Sequence, residues 1–234
     1  MRVVSLVPSV TETLLAWGVD VVACTRFCEQ PQLRHVGGTK DPDLAAIAEL
    51  APDLVVLDKE ENRRDDADAL AATGQRIHVT HVVDLAGVAG TLDELAGAVG
   101  VAAPPFELPA PGGASGDVAV LIWRRPWMVL GAATYGSAVL AHLGLHNVLT
   151  PDDGAYPALE LDELAARRPA AVLLPSEPYP FAERHVAEVA EAFAETSGDP
   201  STQVVLVDGR DLFWWGVRTP GALSRLAAGL APST

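Results

Sequence analysis

Basic side chains, cysteines and long hydrophobic runs are all scarce in this sequence of 234 residues. Its 16 Lys and Arg residues stand against 31 Asp and Glu, which gives a formal net charge of −15. Because nucleic acids and anionic membranes bind basic surfaces, neither is expected to be the main partner. No apolar run reaches the roughly 18 residues that a spanning helix needs, so membrane insertion is not expected.

The cysteines and the start of the chain bear on the cellular compartment. Two cysteines, Cys24 and Cys28, cannot build a disulfide framework and are predicted to be reduced thiols. The first predicted strand begins at Val3, with no charged and apolar leader before it. We therefore expect a cytoplasmic protein, unless an export signal was removed or lies upstream of Met1.

Short apolar runs rich in Val and Leu recur along the chain and predict buried strands. Hydrophobic residues make up 49% of the sequence and the mean hydropathy is +0.22, as in a globular protein. Continuous runs of four or five apolar residues are typical of parallel strands that are buried on both faces. The predicted strands span residues 3–7, 21–24, 54–57, 77–79, 118–122, 171–174 and 204–207.

Helical patterns separate these runs and complete an α/β alternation. Ser9 or Thr11 is expected to cap the first helix and Asp43 the second, while Gly18 and Gly74 are expected to end helices. The predicted helices span residues 11–18, 44–51, 64–73, 83–99, 137–143, 159–167, 182–196 and 220–230.

A change of composition divides the chain nearly in half. Residues 101–116 contain four prolines and three glycines, which predict a linker that is stiff at its proline end and flexible at its glycine end. A long helix is not expected there. We therefore predict two small three-layer α/β lobes with mainly parallel sheets, residues 1–100 and 117–234, joined by the linker 101–116.

The candidate ligand-binding residues follow the predicted strands. Ligands of open parallel sheets bind beyond the carboxyl ends of the strands. Aromatic side chains there offer flat faces to a planar ligand, or they are ordinary core packing. Arginines there could meet carboxylates or phosphates, or lie in solvent. Glu60 and Glu61 are also explained as acids before a helix. The candidates are Trp123, Arg124, Trp127, Glu177, Tyr179, Trp214, Trp215, Glu60, Glu61, Asn62 and Arg26, with Phe181 beside Tyr179.

No motif predicts catalysis or a metal site. The sequence contains no nucleophile elbow and no phosphate-binding loop. Cys24 and Cys28, with His35 nearby, match no strong zinc pattern. We therefore predict no catalytic residue, no metal ligand and no required cofactor.

Three stretches carry a family resemblance. They are residues 2–12 (RVVSLVPSVTE), residues 42–56 (PDLAAIAELAPDLVV) and residues 162–172 (DELAARRPAAV). Together they resemble the cobalamin- and siderophore-type (class III) substrate-binding proteins of ABC transporters, closest to the cobalamin-binding branch. The resemblance implies two lobes that face a ligand cleft, and a corrinoid, haem or metal chelate as the small-molecule ligand. The alternative is a cytoplasmic enzyme or metal-dependent regulator that reuses the fold.

The sequence departs from the family pattern in three respects. Family members are exported, yet no export signal precedes Val3. Their lobes are joined by a long helix, where this chain has residues 101–116. They dock on a permease through one acidic residue on each lobe, and those positions fall at Arg64 and near Trp214–Trp215. The resemblance thus implies an ABC-transporter permease as partner, while these residues weigh against one.

Overall fold

The computed structural model of the chain describes residues 1–197 and 201–230. These residues divide into two compact units. The first unit consists of Met1–Val82, Ala86–Glu107 and the short segment Trp215–Arg218, and the second unit contains the remaining described residues. No helix among the described residues is long and apolar enough to cross a membrane.

The first unit is built on a parallel sheet in the order β3-β2-β1-β4-β5. Its strands are β1 Arg2–Ser5, β2 Asp20–Cys24, β3 Arg34–His35, β4 Leu54–Asp58 and β5 Ile77–Thr80. Its helices are α1 Pro8–Ala16, α2 Leu44–Leu50, α3 Arg64–Ala72 and α4 Ala86–Val99. All five residues of β4 are buried, as expected for an apolar run with a strand on each side.

Capping fixes the helix starts of the first unit. The carboxylate of Asp43 accepts a hydrogen bond from the backbone N–H of Ala46 at 2.9 Å, which confirms the predicted cap of α2. The predicted cap of α1 was wrong, because Val7 holds that position and Pro8 follows it. Proline fits the first helical position, where its missing N–H is not needed. The hydroxyl of Thr11 instead donates to the carbonyl of Val7 from inside the helix.

The second unit contains a mixed sheet in the order β10-β9-β6-β7, with β8 also paired to β6. The pairs are parallel except β6 with β7, which is antiparallel. Its strands are β6 Gly116–Trp123, β7 Met128–Val129, β8 Leu145–Asn147, β9 Ala171–Pro175 and β10 Gln203–Val207. Its helices are α5 Tyr135–His142, α6 Leu161–Ala165, α7 Glu183–Ser197, α8 Gly209–Phe213 and α9 Thr219–Gly229.

The core of the second unit forms between its sheet and α7. Val189 and Phe193 lie four residues apart on one face of α7, and both are fully buried with Leu121 of β6 and Leu174 of β9. This apolar contact holds the carboxyl ends of β6 and β9 beside the first turn of α7. The candidate ligand site is found there.

The segment between α4 and β6 contains no helix or strand. The carbonyl of Pro109 lies 3.0 Å from Nε2 of His142, at the end of α5. The backbone N–H of Gly112 donates to the carbonyl of His142 at 2.8 Å. A Cβ atom on Gly112 would lie 2.7 Å from the carbonyl oxygen of Leu143, so only glycine fits this approach. The glycine end of this segment was expected to be flexible. It is instead hydrogen-bonded to the end of α5.

Candidate ligand-binding site

Five rings pack together beyond the carboxyl ends of β6 and β9. Trp123 ends β6 and meets the ring of Tyr179 edge-on, with centroids 5.6 Å apart. Tyr179 in turn packs on Phe181 at 4.8 Å, and Phe181 stacks on Trp127 at 6.4 Å with nearly parallel planes. His185, in the first turn of α7, contacts both Tyr179 and Phe181. We call these five residues the aromatic cluster.

The aromatic cluster has a buried floor and an exposed rim. Phe181 and His185 are 6% and 3% exposed and belong to the core side. Trp127 and Tyr179 are half-buried, whereas 42% of Trp123 remains exposed to solvent. An exposed indole beside fixed rings is a surface on which a planar ligand can stack.

The electrostatic setting keeps the floor of the cluster uncharged. Nδ1 of His185 accepts a hydrogen bond from the backbone N–H of Ala182 at 3.0 Å. Burial, and then the positive charges of Arg184 and Arg124, lower the pKa of His185. A neutral imidazole is therefore expected at neutral pH, and such a ring packs readily among aromatic side chains.

Arg124 is held by the protein's own carboxylate. Its Nη2 donates to Oε1 of Glu188 at 2.6 Å and its Nε donates to the same oxygen at 3.2 Å. Its guanidinium also lies 5.6 Å from the centre of the Trp127 ring, a cation–π arrangement. The bonds to Glu188, and a further one to Tyr179, raise the pKa of Arg124. Arg124 therefore orients the rings, and its charge is already compensated.

Glu177 lies in the loop after β9, next to the start of α8. The backbone N–H of Gly209 donates to the hydroxyl of Ser176 at 3.0 Å. A Cβ atom on Gly209 would lie 2.7 Å from both the backbone nitrogen and the carbonyl oxygen of Glu177. This close approach fixes the backbone that leads from β9 into Tyr179, and it leaves Glu177 half-buried.

Trp214 and Trp215 are buried, unlike Trp123. They are 9% and 6% exposed, which agrees with the packing alternative raised from the sequence. Trp215 belongs to the first unit and begins the segment Trp215–Arg218. This segment is hydrogen-bonded to α1. Nε of Arg218 donates to Glu12 at 2.7 Å, and the backbone N–H of Val217 donates to the hydroxyl of Thr13 at 3.3 Å.

In the first unit, Asn62 is used as a structural link. Its Oδ1 accepts from the backbone N–H of Asp58 at 2.8 Å, and its Nδ2 donates to the carbonyls of Leu6 and Thr39 at 3.2 and 2.9 Å. Asn62 is 7% exposed, so its side-chain amide forms these hydrogen bonds in the protein interior. It ties together the loops after β1 and β4 and the loop before α2.

Asp58 organises the same loop and explains the positions of Glu60 and Glu61. One oxygen of its carboxylate accepts from the backbone N–H of Glu60 at 2.8 Å, and the other accepts from the hydroxyl of Thr80 at 2.8 Å. Burial raises the pKa of Asp58, and these hydrogen bonds partly oppose that effect. The carbonyl of Glu60 also accepts from Nζ of Lys40 at 2.7 Å. The side chain of Glu60 is exposed and that of Glu61 is half-buried.

Arg26 lies in the loop after β2 and already has an acidic partner. Its guanidinium donates to both carboxylate oxygens of Asp41, at 3.0 and 3.1 Å, and lies 4.8 Å from the centre of the Phe27 ring. Both charges are well exposed, so this ion pair is expected to contribute little stability.

Sequence reasoning missed His185 and Glu188 of α7. Both contact the cluster only because α7 packs back on the sheet. A usable signal was the position of His185 four residues after Phe181, at a helix start.

Comparison with known proteins supports the fold and nothing finer. No protein-family model matches the sequence, and no curated protein is significantly similar to it. Among solved structures, the periplasmic vitamin B12-binding protein BtuF of Vibrio cholerae has a TM-score of 0.76 at 17% identity, over 98% of this chain and 96% of that one. A periplasmic haem-binding protein from Pseudomonas aeruginosa has a TM-score of 0.81 at 21% identity, over 100% and 93%. An ABC-transporter substrate-binding protein from Listeria monocytogenes reaches 0.74 at 14% identity, over 99% of each chain.

These similarities bear on two predictions from the sequence. The predicted cytoplasmic location is not supported, because the first two of these proteins are described as periplasmic. The predicted fold class is confirmed, since both units are α/β with mainly parallel sheets and the matches span the chain. The chain therefore has the fold of the class III substrate-binding proteins, the group that its sequence resembles.

Proposed function

We propose that this protein binds a planar metal chelate, a corrinoid or haem, on the aromatic cluster of its second unit. The observation that carries the proposal is the exposed indole of Trp123, held edge-on against Tyr179 at the carboxyl ends of two parallel strands. Ligands of parallel sheets bind at this edge. Proteins with this fold are described as binding vitamin B12 and haem.

The cluster suits a flat and largely apolar ligand. Each ring is packed against another ring, so little side-chain freedom is lost when a ligand stacks on it. Glu188 neutralises Arg124, so an apolar macrocycle that stacks on the cluster would not bury an uncompensated charge of Arg124.

The alternative of an enzyme or metal-dependent regulator is not favoured. The similar solved structures are described as binding proteins. Among residues 1–197 and 201–230, no group of three His, Cys, Asp or Glu side chains could hold a metal ion.

An ABC-transporter permease is the partner that this function implies, and it would place the protein outside the cytoplasm. Arg64, at the start of α3, is exposed and lies 3.6 Å from Asp68. Asp65 and Asp68, which follow Arg64 in α3, are exposed and supply negative charge for docking there. Fractionation of cells that express the natural gene tests the location, and recovery in the cytoplasmic fraction alone would contradict this part of the proposal.

Titration with haemin, cyanocobalamin and cobinamide tests the binding function. We expect one of these ligands to raise the melting temperature and to quench tryptophan emission, after correction for ligand absorption. Binding to the folded state alone stabilises it by about 2.7 kcal/mol at a hundredfold excess over Kd. If none of the three shifts the melting temperature at high micromolar concentration, the proposal fails.

Two variants localise the site. Trp123→Ala should weaken both the melting shift and the quenching. Trp17→Phe is the matched control, because Trp17 follows the C-terminal end of α1, at the amino edge of the first sheet. It should lower the total emission and leave the ligand-induced melting shift unchanged. An equal loss of affinity in both variants would contradict the assigned site.

A further inference from the structure

Two buried cysteines lie four residues apart in the first unit. Cys24 is the last residue of β2, and the chain turns back at once, with the backbone N–H of Cys28 donating to the carbonyl of Thr25 at 3.2 Å. The turn brings Cys28 near Cys24, and each thiol shifts the pKa of the other. Both side chains are buried, at 0% and 2% exposure.

The surroundings make the two thiols unequal. Sγ of Cys28 lies 3.3 Å from the hydroxyl of Thr11 and 3.2 Å from that of Thr25. The Thr25 hydroxyl can donate to its thiolate, whereas the Thr11 hydroxyl would have to give up its bond to the carbonyl of Val7 to do so. The side chain of Cys24, and then those of Thr11 and Thr25, lower the pKa of Cys28 to about 6 against the effect of burial. The side chain of Cys28, and then burial, raise the pKa of Cys24. One thiolate beside one thiol is the arrangement that thiol–disulfide exchange requires.

We propose that Cys24 and Cys28 are a redox site, in which Cys28 attacks a small disulfide and Cys24 resolves the product into an intramolecular disulfide. The thiolate of Cys28 attacks one sulfur of a low-molecular-weight disulfide such as glutathione disulfide, and the other half leaves as a thiolate. Cys24 then loses its proton, and its sulfur attacks Sγ of Cys28 and releases the second thiolate. The cysteine pair gives up two electrons and two protons, and the small disulfide becomes two thiols.

Only a short loop has to open for an oxidant to enter. Arg26, Phe27 and Glu29 around Cys28 are exposed, and Glu29 has a positive φ of 50°, which is uncommon for this residue type. Local opening of such a loop costs less than global unfolding. Disulfide formation removes the charge of the Cys28 thiolate and so weakens the contacts of its sulfur with the hydroxyls of Thr11 and Thr25. Oxidation is therefore coupled to the loop that carries Arg26 and Phe27.

The test equilibrates the full chain in glutathione buffers of graded oxidised-to-reduced ratio, followed by acid quenching, alkylation under denaturing conditions and intact mass measurement. We expect both alkylation sites to be lost together in one transition and to return with dithiothreitol. Cys24→Ser should instead accumulate a glutathione adduct at Cys28. The proposal is overturned if the unmodified chain keeps two alkylatable thiols at the most oxidising ratio, or if oxidation yields dimers on a non-reducing gel.

A second pair of variants keeps both cysteines, so the test survives if a Cys variant does not fold. Thr11→Val removes a hydroxyl from Cys28 and should slow oxidation severalfold. Thr13→Val is its control, because Thr13 is equally buried in the same helix and likewise bonds a carbonyl four residues back, while its second partner is the backbone N–H of Val217 and not a thiol. Thr13→Val should oxidise at the unmodified rate. Equal rates for all three proteins would overturn the role of Cys28 as the attacking thiol.

Discussion

Replacing Asn62 by Ala should unfold the first unit more easily without weakening ligand binding. The substitution removes an acceptor from the backbone N–H of Asp58 and a donor from the carbonyls of Leu6 and Thr39. A buried polar group that loses its partner costs about 1–3 kcal/mol, although water can reach the half-buried Thr39. We expect the free energy of unfolding to fall by about 2–4 kcal/mol, since the three losses are not fully additive.

Urea unfolding monitored by far-UV circular dichroism measures this loss, and two further variants isolate its cause. Asn62→Asp keeps an acceptor for Asp58 N–H but removes the donor and adds a second carboxylate beside Asp58. It should therefore be at least as destabilised as Asn62→Ala at neutral pH. Glu61→Gln, one residue away and less buried, should stay within about 0.5 kcal/mol of the unmodified protein.

The opposite pattern would refute this account of Asn62. If Asn62→Ala loses less than about 0.5 kcal/mol of stability and also binds haemin or cobalamin much more weakly, the amide is a ligand contact. Binding must be measured at a temperature and denaturant concentration where the variant is folded. Under those conditions the hydrogen-bond network predicts an unchanged Kd.

Two more predictions concern the first unit. Because burial raises the pKa of Asp58, its stabilising contribution is complete below the ordinary carboxyl range and is lost as pH rises through the raised pKa. Asp58→Asn should remove this dependence, which urea unfolding between acidic and neutral pH would detect; parallel pH profiles would contradict it. Gly216→Ala should cost about 2–4 kcal/mol, because φ is +127° and the added Cβ would strike Thr13. Gly18→Ala, with φ of +72° and open space, should cost only about 1 kcal/mol in the same measurement; equal losses would argue against the clash.

The sequence predicted the longer strands and helices of the fold. All seven predicted strands are present, with ends shifted by at most two residues, because continuous apolar runs mark strands that are buried on both faces. The elements that were missed include β3, β7, β8 and α8, which have two to five residues each. Such lengths are too short to show a periodicity.

The sequence predicted only part of the candidate site. Trp123, Trp127 and Tyr179 were found together because parallel strands deliver their carboxyl ends to one edge. The sequence could not show that Arg124 forms an ion pair with Glu188, which lies 64 residues away. Nor could it separate an exposed indole from a buried one, because Trp123 and Trp214 both come after predicted strands of the second half and differ in what packs on them.

The exposure of Trp123 sets the size of its contribution to binding. Aromatic side chains bury about 150–250 Å² when fully covered. Since 42% of Trp123 is exposed, a stacked ligand could cover about 60–100 Å² more. At about 25 cal/mol per Å², that area is worth roughly 1.5–2.5 kcal/mol. Trp123→Ala should therefore weaken binding about 10- to 70-fold. A change of less than threefold in calorimetric titration would show that the ligand does not stack there. By contrast, the amide of Asn62 is already bonded inside the protein, so its removal should be felt in stability and not in affinity.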